Sequence, residues 1–162
     1  MRLTGWLAAT LFCLTSACSP HSGAAGPAAS STAPAVHPVS GLPVIALTVI
    51  SAGKVHRFRV EVARSDAEQA KGLMFRAAMG SDEGMIFPMN PPRAAAFWMK
   101  NTVIPLDIIF VGRDRRILNI AANAAPYSEE PLPSAGAVSG VLELNGGRAA
   151  QLGIGPGDRV EW

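Results

Sequence analysis

Leu106-Asp107-Ile108-Ile109-Phe110-Val111 runs into Gly112-Arg113-Asp114, and the chain returns from Arg116 to Ala121. In an extended strand, Ile109 and Val111 share the face of Asp107, while Leu106, Ile108 and Phe110 take the other. Both faces are apolar, so both are expected to be buried. The polar turn makes the unit a hairpin with a charged tip. A strand covered on both sides needs a sheet with packing layers above and below, and this sets the expectation for the rest of the chain.

Period two recurs on either side. Val44 to Ile50 is a short apolar run. Val55, Arg57, Arg59 and Glu61 alternate with His56, Phe58, Val60 and Val62, giving one largely apolar and one mostly polar face. Gly84 to Phe87, Ala95 to Met99, Val138 to Asn145 and Asp158 to Trp162 complete the strands. Pro88, Pro91, Pro92, Pro105, Pro126, Pro131 and Pro133 fall between the runs, where a missing N–H does least harm. Ser65-Asp66-Ala67-Glu68 has the form of a capping box and predicts a helix to about Gly72. Gly146 to Leu152 predicts a second, with Gly153 suited to the left-handed position after its end. The expected fold is mainly β: a single-domain closed or nearly closed β-sandwich or barrel with two short helices.

Residues 1–17 read as an export signal. Arg2 precedes an apolar run from Leu3 to Leu14, which is shorter than the ~20 residues of a membrane-spanning helix. Leu14-Thr15-Ser16-Ala17-Cys18 resembles a bacterial lipoprotein cleavage signal, although Thr15 stands where an aliphatic residue is usual. Cleavage leaves Cys18 as the single cysteine, so no internal disulfide can form, and a thioether-linked lipid would occupy its sulfur. Thr15 and Ala17 would also suit ordinary signal peptidase at the same bond, so simple secretion and an uncleaved anchor are the alternatives to lipidation. For a lipoprotein, Ser19 supplies no acidic retention signal, and an outer-membrane lipoprotein facing the periplasm is expected. Residues 18–42 are then a lipidated cysteine and linker. Between residues 19 and 41, 18 of 23 residues are Ala, Pro, Ser or Gly, too few apolar groups to offset the entropy of ordering. A disordered tether reaching roughly 25–30 Å is expected. Residues 43–162 form the folded domain.

Arg2 aside, the charges are 13 basic and 12 acidic, without a basic run, which argues against a nucleic-acid partner. No cysteine lies in the domain and His56 is its single histidine. The pattern offers neither a nucleophile with its base nor a zinc site of ordinary spacing. No cofactor is expected.

The polar residues placed against apolar runs are the candidates for function. Phe97-Trp98-Met99-Lys100-Asn101-Thr102-Val103-Ile104-Pro105-Leu106-Asp107 carries an aromatic pair, a cation, an amide, a hydroxyl and a carboxylate. A buried Asp107 requires a cation such as Lys100 or Arg76, or several backbone N–H donors. Glu143 lies between Leu142 and Leu144, on the face of Val141 and Asn145. Phe97 and Trp98 point to opposite faces, so one belongs to the core; the other is either buried as well, in a strand covered on both sides, or forms a platform for a sugar ring. Together with Gly72-Leu73-Met74-Phe75-Arg76, Gly84-Met85-Ile86-Phe87 and Val141-Leu142-Glu143-Leu144, the stretch from Phe97 to Asp107 resembles domain-of-unknown-function family 192 over about residues 44 to 162. The resemblance implies the same kind of β fold and no settled activity.

Three functions follow as expectations. The first is an envelope binding or interaction module for a polar, saccharide-like ligand, with Arg76, Trp98, Lys100, Asn101, Asp107 and Glu143 as candidate site. The second is an envelope-glycan enzyme in which Asp107 and Glu143 face each other as a carboxylate pair. The third is a copper(I) protein. Met74, Met79, Met85, Met89 and Met99 crowd one window, and thioethers suit that ion, although methionine is also an adaptable core filler.

Overall fold

The computed structural model describes residues 35–162. The export signal, Cys18 and the linker as far as residue 34 lie outside the described residues. Among those described, no helix is long and apolar enough to cross a membrane.

The elements follow in the order β1 (Val44–Ser51), β2 (Lys54–Val62), α1 (Asp66–Lys71), β3 (Glu83–Arg93), β4 (Ala96–Phe97), β5 (Leu106–Gly112), β6 (Ile117–Ala124), β7 (Leu132–Pro133), β8 (Val138–Asn145), α2 (Arg148–Leu152) and β9 (Arg159–Glu161). Seven strands form one sheet in the order β6-β5-β8-β3-β2-β1-β9, and β4 pairs with β7 apart from it. All neighbours are antiparallel except β2 and β3, whose parallel pairing needs the crossover that α1 supplies. The sheet curls until its edges approach. A single bridge, Arg116 to Arg159, links them, with Ile117 N–H donating to Asp158 O at 2.9 Å and Val160 N–H to Arg115 O at 2.8 Å. No ladder closes it into a barrel, and the result is sandwich-like.

Two apolar layers follow from the alternation. Inside the curl lie Leu47, Val49, Phe58, Val60, Ile109, Val111, Leu142, Leu144 and Val160, with Ala149 of α2 closing one end. On the other face of β3, β5 and β8 lie Met85, Phe87, Ile108, Phe110 and Val141, covered by Leu73, Met99 and partly by Phe97. Phe97 meets Phe87 and Phe110 edge-on, at 5.1 and 6.1 Å between ring centroids. Every residue of β5 is buried, as its two apolar faces require. Met85, Met89 and Met99 are buried in the second layer among aliphatic and aromatic side chains.

Both helices stop where expected, although α2 begins at Arg148, two residues after the expected Gly146. Ser65 Oγ accepts from Glu68 N–H, and Glu68 Oε2 accepts from Ser65 N–H at 2.8 Å. Gly72 ends α1 at φ 46°, where an added Cβ would sit 3.3 Å from the Phe87 ring. Gly153 ends α2 in the left-handed conformation.

Local differences from the sequence expectations have physical causes. The Ala95–Met99 strand contracts to Ala96–Phe97, because its partner β7 is only the two residues Leu132–Pro133 long. β3 continues past Pro88 to Arg93, with its register to β8 interrupted between those two residues, so the prolines occupy an irregular stretch. The end of the expected linker is ordered. Val36 bridges to Pro43, His37 N–H donates to Leu42 O, and Gly41 turns the chain at φ 74°. Leu42 packs against the second apolar layer, and this contact offsets the ordering of residues 35–42.

Candidate functional site

Asp107 stands at the start of β5 with its side chain on the inner face. Its Oδ1 accepts from Asn123 N–H at 2.7 Å and Gly147 N–H at 2.9 Å, and its Oδ2 from Ala149 N–H at 2.7 Å. The N-cap residue of α2 is Gly147, which has no side chain to offer. Asp107 therefore caps α2 from a distant strand and ties it to β5 and β6. Its partners are backbone amides, and neither Lys100 nor Arg76 is among them.

Arg76 is committed elsewhere. It follows α1 and forms a buried two-pronged pair with Glu61 of β2, at 2.8 and 3.0 Å. His37 Nε2 lies 3.7 Å from the same carboxylate. This cluster joins the ordered end of the linker to the domain. Asn101 adopts φ 54° and its carbonyl accepts from Phe75 N–H at 2.8 Å. Its role is that of a turn residue able to enter the left-handed region, and its Nδ2 rests 3.8 Å from Met74 Sδ.

Glu143 is different. It projects from the centre of β8 onto the outer face, between Met85 of β3 and Ile108 of β5 in register. It is buried, and its Oε2 has no hydrogen-bond partner among the described residues. Desolvation pushes its carboxyl from the ordinary 4.5 up to about 8. At neutral pH the group is a carboxylic acid, able to donate a hydrogen bond.

Above Glu143 lies a cavity of about 380 Å³. Its wall is built by the end of α1, the end of β3, β4 and the loop that follows. Trp98 and Lys100 stand on it, together with Gln69, Lys71, Arg93, Phe97 and Thr102. Trp98 is half exposed, at 50%, and Lys100 Nζ sits 5.4 Å from its ring centroid. The Gln69 amide nitrogen donates to Ala63 O and Pro88 O, which fixes that side chain on the wall. Thr102 Oγ1 donates to Lys100 O at 3.3 Å.

Of the six residues singled out in the sequence, the structure brings Trp98, Lys100 and Glu143 to one cavity. Arg76, Asn101 and Asp107 take part in other contacts. Asp107 pairs in register with Leu144, and Ile108 with Glu143, so the two carboxylates occupy opposite faces of the sheet. They do not face each other across a cleft, and the arrangement of a glycosidic acid–base pair is not formed. Gln69, Lys71 and Arg93 carry no signal in the sequence, since a polar residue on a short helix or after a proline pair is ordinarily solvated. Among the described residues no group of three or more His, Cys, Asp or Glu side chains could hold a metal ion. Met74 and Met89 line the cavity, while Met85 and Met99 pack below it.

The comparisons agree with this architecture. The model of domain-of-unknown-function family 192, described as an uncharacterised ACR, matches residues 47–162. A crystal structure of a protein of unknown function from Novosphingobium aromaticivorans DSM 12444 is 64% identical, with a TM-score of 0.79, and the match covers 86% of this chain and all of that one. A second, from Sinorhizobium meliloti 1021 and provisionally described as a transcription regulator, is 40% identical with a TM-score of 0.72, covering 74% of this chain and 94% of that one. No curated protein matches the chain.

Proposed function

The chain belongs to domain-of-unknown-function family 192, and from its cavity we propose that it is a binding module of the cell envelope for a small polar, saccharide-like ligand. The observation that carries this reading is Glu143. A carboxyl group buried without a partner is destabilising, and this one opens onto a cavity where a ligand oxygen could meet it. The cavity lies at the small end of the roughly 300–1,000 Å³ typical of ligand sites, which suits one ring rather than an extended chain. Trp98 offers an apolar face for such a ring, and Lys100, Thr102 and Gln69 place polar groups around it. The module would be held at the membrane by a lipid on Cys18 and carried away from it by the residues that follow.

Titration of the protein with monosaccharides, followed by tryptophan fluorescence and calorimetry, tests the proposal. Saturable binding that is lost in Trp98→Ala and weakened in Glu143→Ala is expected. If no monosaccharide produces heat or a fluorescence change up to millimolar concentration, the proposal falls.

A further inference from the structure

The charged groups around Glu143 come from three separate elements. Lys71 stands in the last turn of α1, Arg93 at the end of β3, and Lys100 in the loop after β4. The two strands that flank Glu143 contribute only Met85 and Ile108 beside it. Lys71 and Arg93 enter no ion pair among the described residues. Lys100 approaches Glu129 at 3.8 Å with both side chains largely exposed, an interaction of little strength. Glu143 is the single acid on the wall. The wall thus carries three cations against one acid, with Glu129 reaching only Lys100. Lys71 and Arg93 are exposed, so their charge acts at the mouth of the recess, where it can draw in an anion.

On the reading of the cavity as a saccharide-like ligand site, we infer that the ligand is an anion, a sugar acid whose carboxylate is held by Lys71, Arg93 and Lys100 while its ring covers Trp98 and reaches Glu143. Burial of Glu143 supports this independently. The group is neutral below a pH of about 8, so it does not repel an anion and can donate its O–H to a ring or hydroxyl oxygen. Above that pH it becomes a carboxylate, and an anionic ligand meets both a lost donor and a like charge. Affinity for the sugar acid therefore falls as pH rises through the Glu143 titration.

Calorimetric titration of the whole protein with glucuronate, glucose and benzoate tests this at pH 6.5. Glucuronate is expected to bind at least about tenfold more tightly than glucose, with the advantage shrinking as salt is raised. Lys71→Gln and Arg93→Gln should each weaken glucuronate several-fold and leave the thermal midpoint unchanged. Glu143→Gln should remove the loss of affinity between pH 7 and 9. Equal binding of glucose and glucuronate would overturn the anion inference and leave the saccharide reading standing. Binding of benzoate with neither sugar would overturn the saccharide reading and keep the anion. If none of the three binds, both fall. Undiminished glucuronate binding in both cation variants would also overturn the inference.

Discussion

Replacing Glu143 with glutamine should stabilise the protein, and by an amount that depends on pH. Glu143 holds its proton to about pH 8 in the folded state, against an ordinary 4.5. Between those values the folded chain keeps a proton that the unfolded chain has released. Stability contributed by this group therefore falls as pH rises from about 4.5, and levels off above about 8. Each tenfold change in proton activity within that window is worth about 1.4 kcal/mol. The wild-type penalty is then near zero at pH 4.5, about 3 kcal/mol at pH 7 and about 5 kcal/mol at pH 9. Glutamine has the same shape and presents a neutral head group to the same cavity, so the desolvation of that head group nearly cancels in the comparison. It does not ionise and carries no such penalty. Urea denaturation of parent and Glu143→Gln at pH 5, 7 and 9 reads the difference directly, because the other titrating groups are common to both. The gap should widen by about 3 kcal/mol or more from pH 5 to pH 9. Parallel stability across that range, or a variant less stable than its parent at pH 9, would refute the reasoning and show that Glu143 ionises without difficulty where it stands.

Asp107→Ala should lower stability by about 3 kcal/mol or more, since three amides at α2 and β6 lose their acceptor; Asp107→Asn should cost less, and chemical denaturation of both decides it. Met74, Met85 and Met99 should tolerate leucine at under about 1.5 kcal/mol each, with no tight copper(I) binding by competition against a chelator; sub-micromolar affinity lost on the same changes would contradict the packing role. Cys18→Ser should turn a membrane-bound product into a soluble or unprocessed one on cell fractionation, and unchanged partitioning of a properly cleaved variant would exclude the lipid anchor.

Much of the fold is written locally. The alternation through Val55–Val62 and the two-sided run from Leu106 to Val111 mark strands because each burial pattern has one geometric reading. Ser65 and Glu68 mark a helix start for a similar reason, since both partners of the capping box lie within four residues. β7 was hidden because two of the residues at Pro131–Pro133 argue against a ladder, and its pairing with β4 is decided by the fold around it. The site was legible only in part. Alternation assigns Asp107 to the face of Ile109 and Glu143 to the face of Val141. That these are opposite faces of one sheet depends on the register of β5 against β8, which no local pattern specifies. A buried carboxylate also looks the same in sequence whether its partners are side chains or amides. Asp107 serves α2, forty residues further along the chain by its Gly147 contact, and Glu143 serves no internal partner.

The join between Arg116 and Arg159 makes the last strand a keystone. β9 is three residues long, yet it shields the open side of β1 and, through that join, the open side of β6. Trp162 lies beneath the Arg115 guanidinium at 3.6 Å and against Gly140, where even a Cβ would approach to 2.9 Å. Loss of these few terminal residues would uncover two strand margins at once, each with unpaired N–H and C=O groups ready to recruit another chain. Three residues of β9 thereby cover the margins that the longer strands leave open.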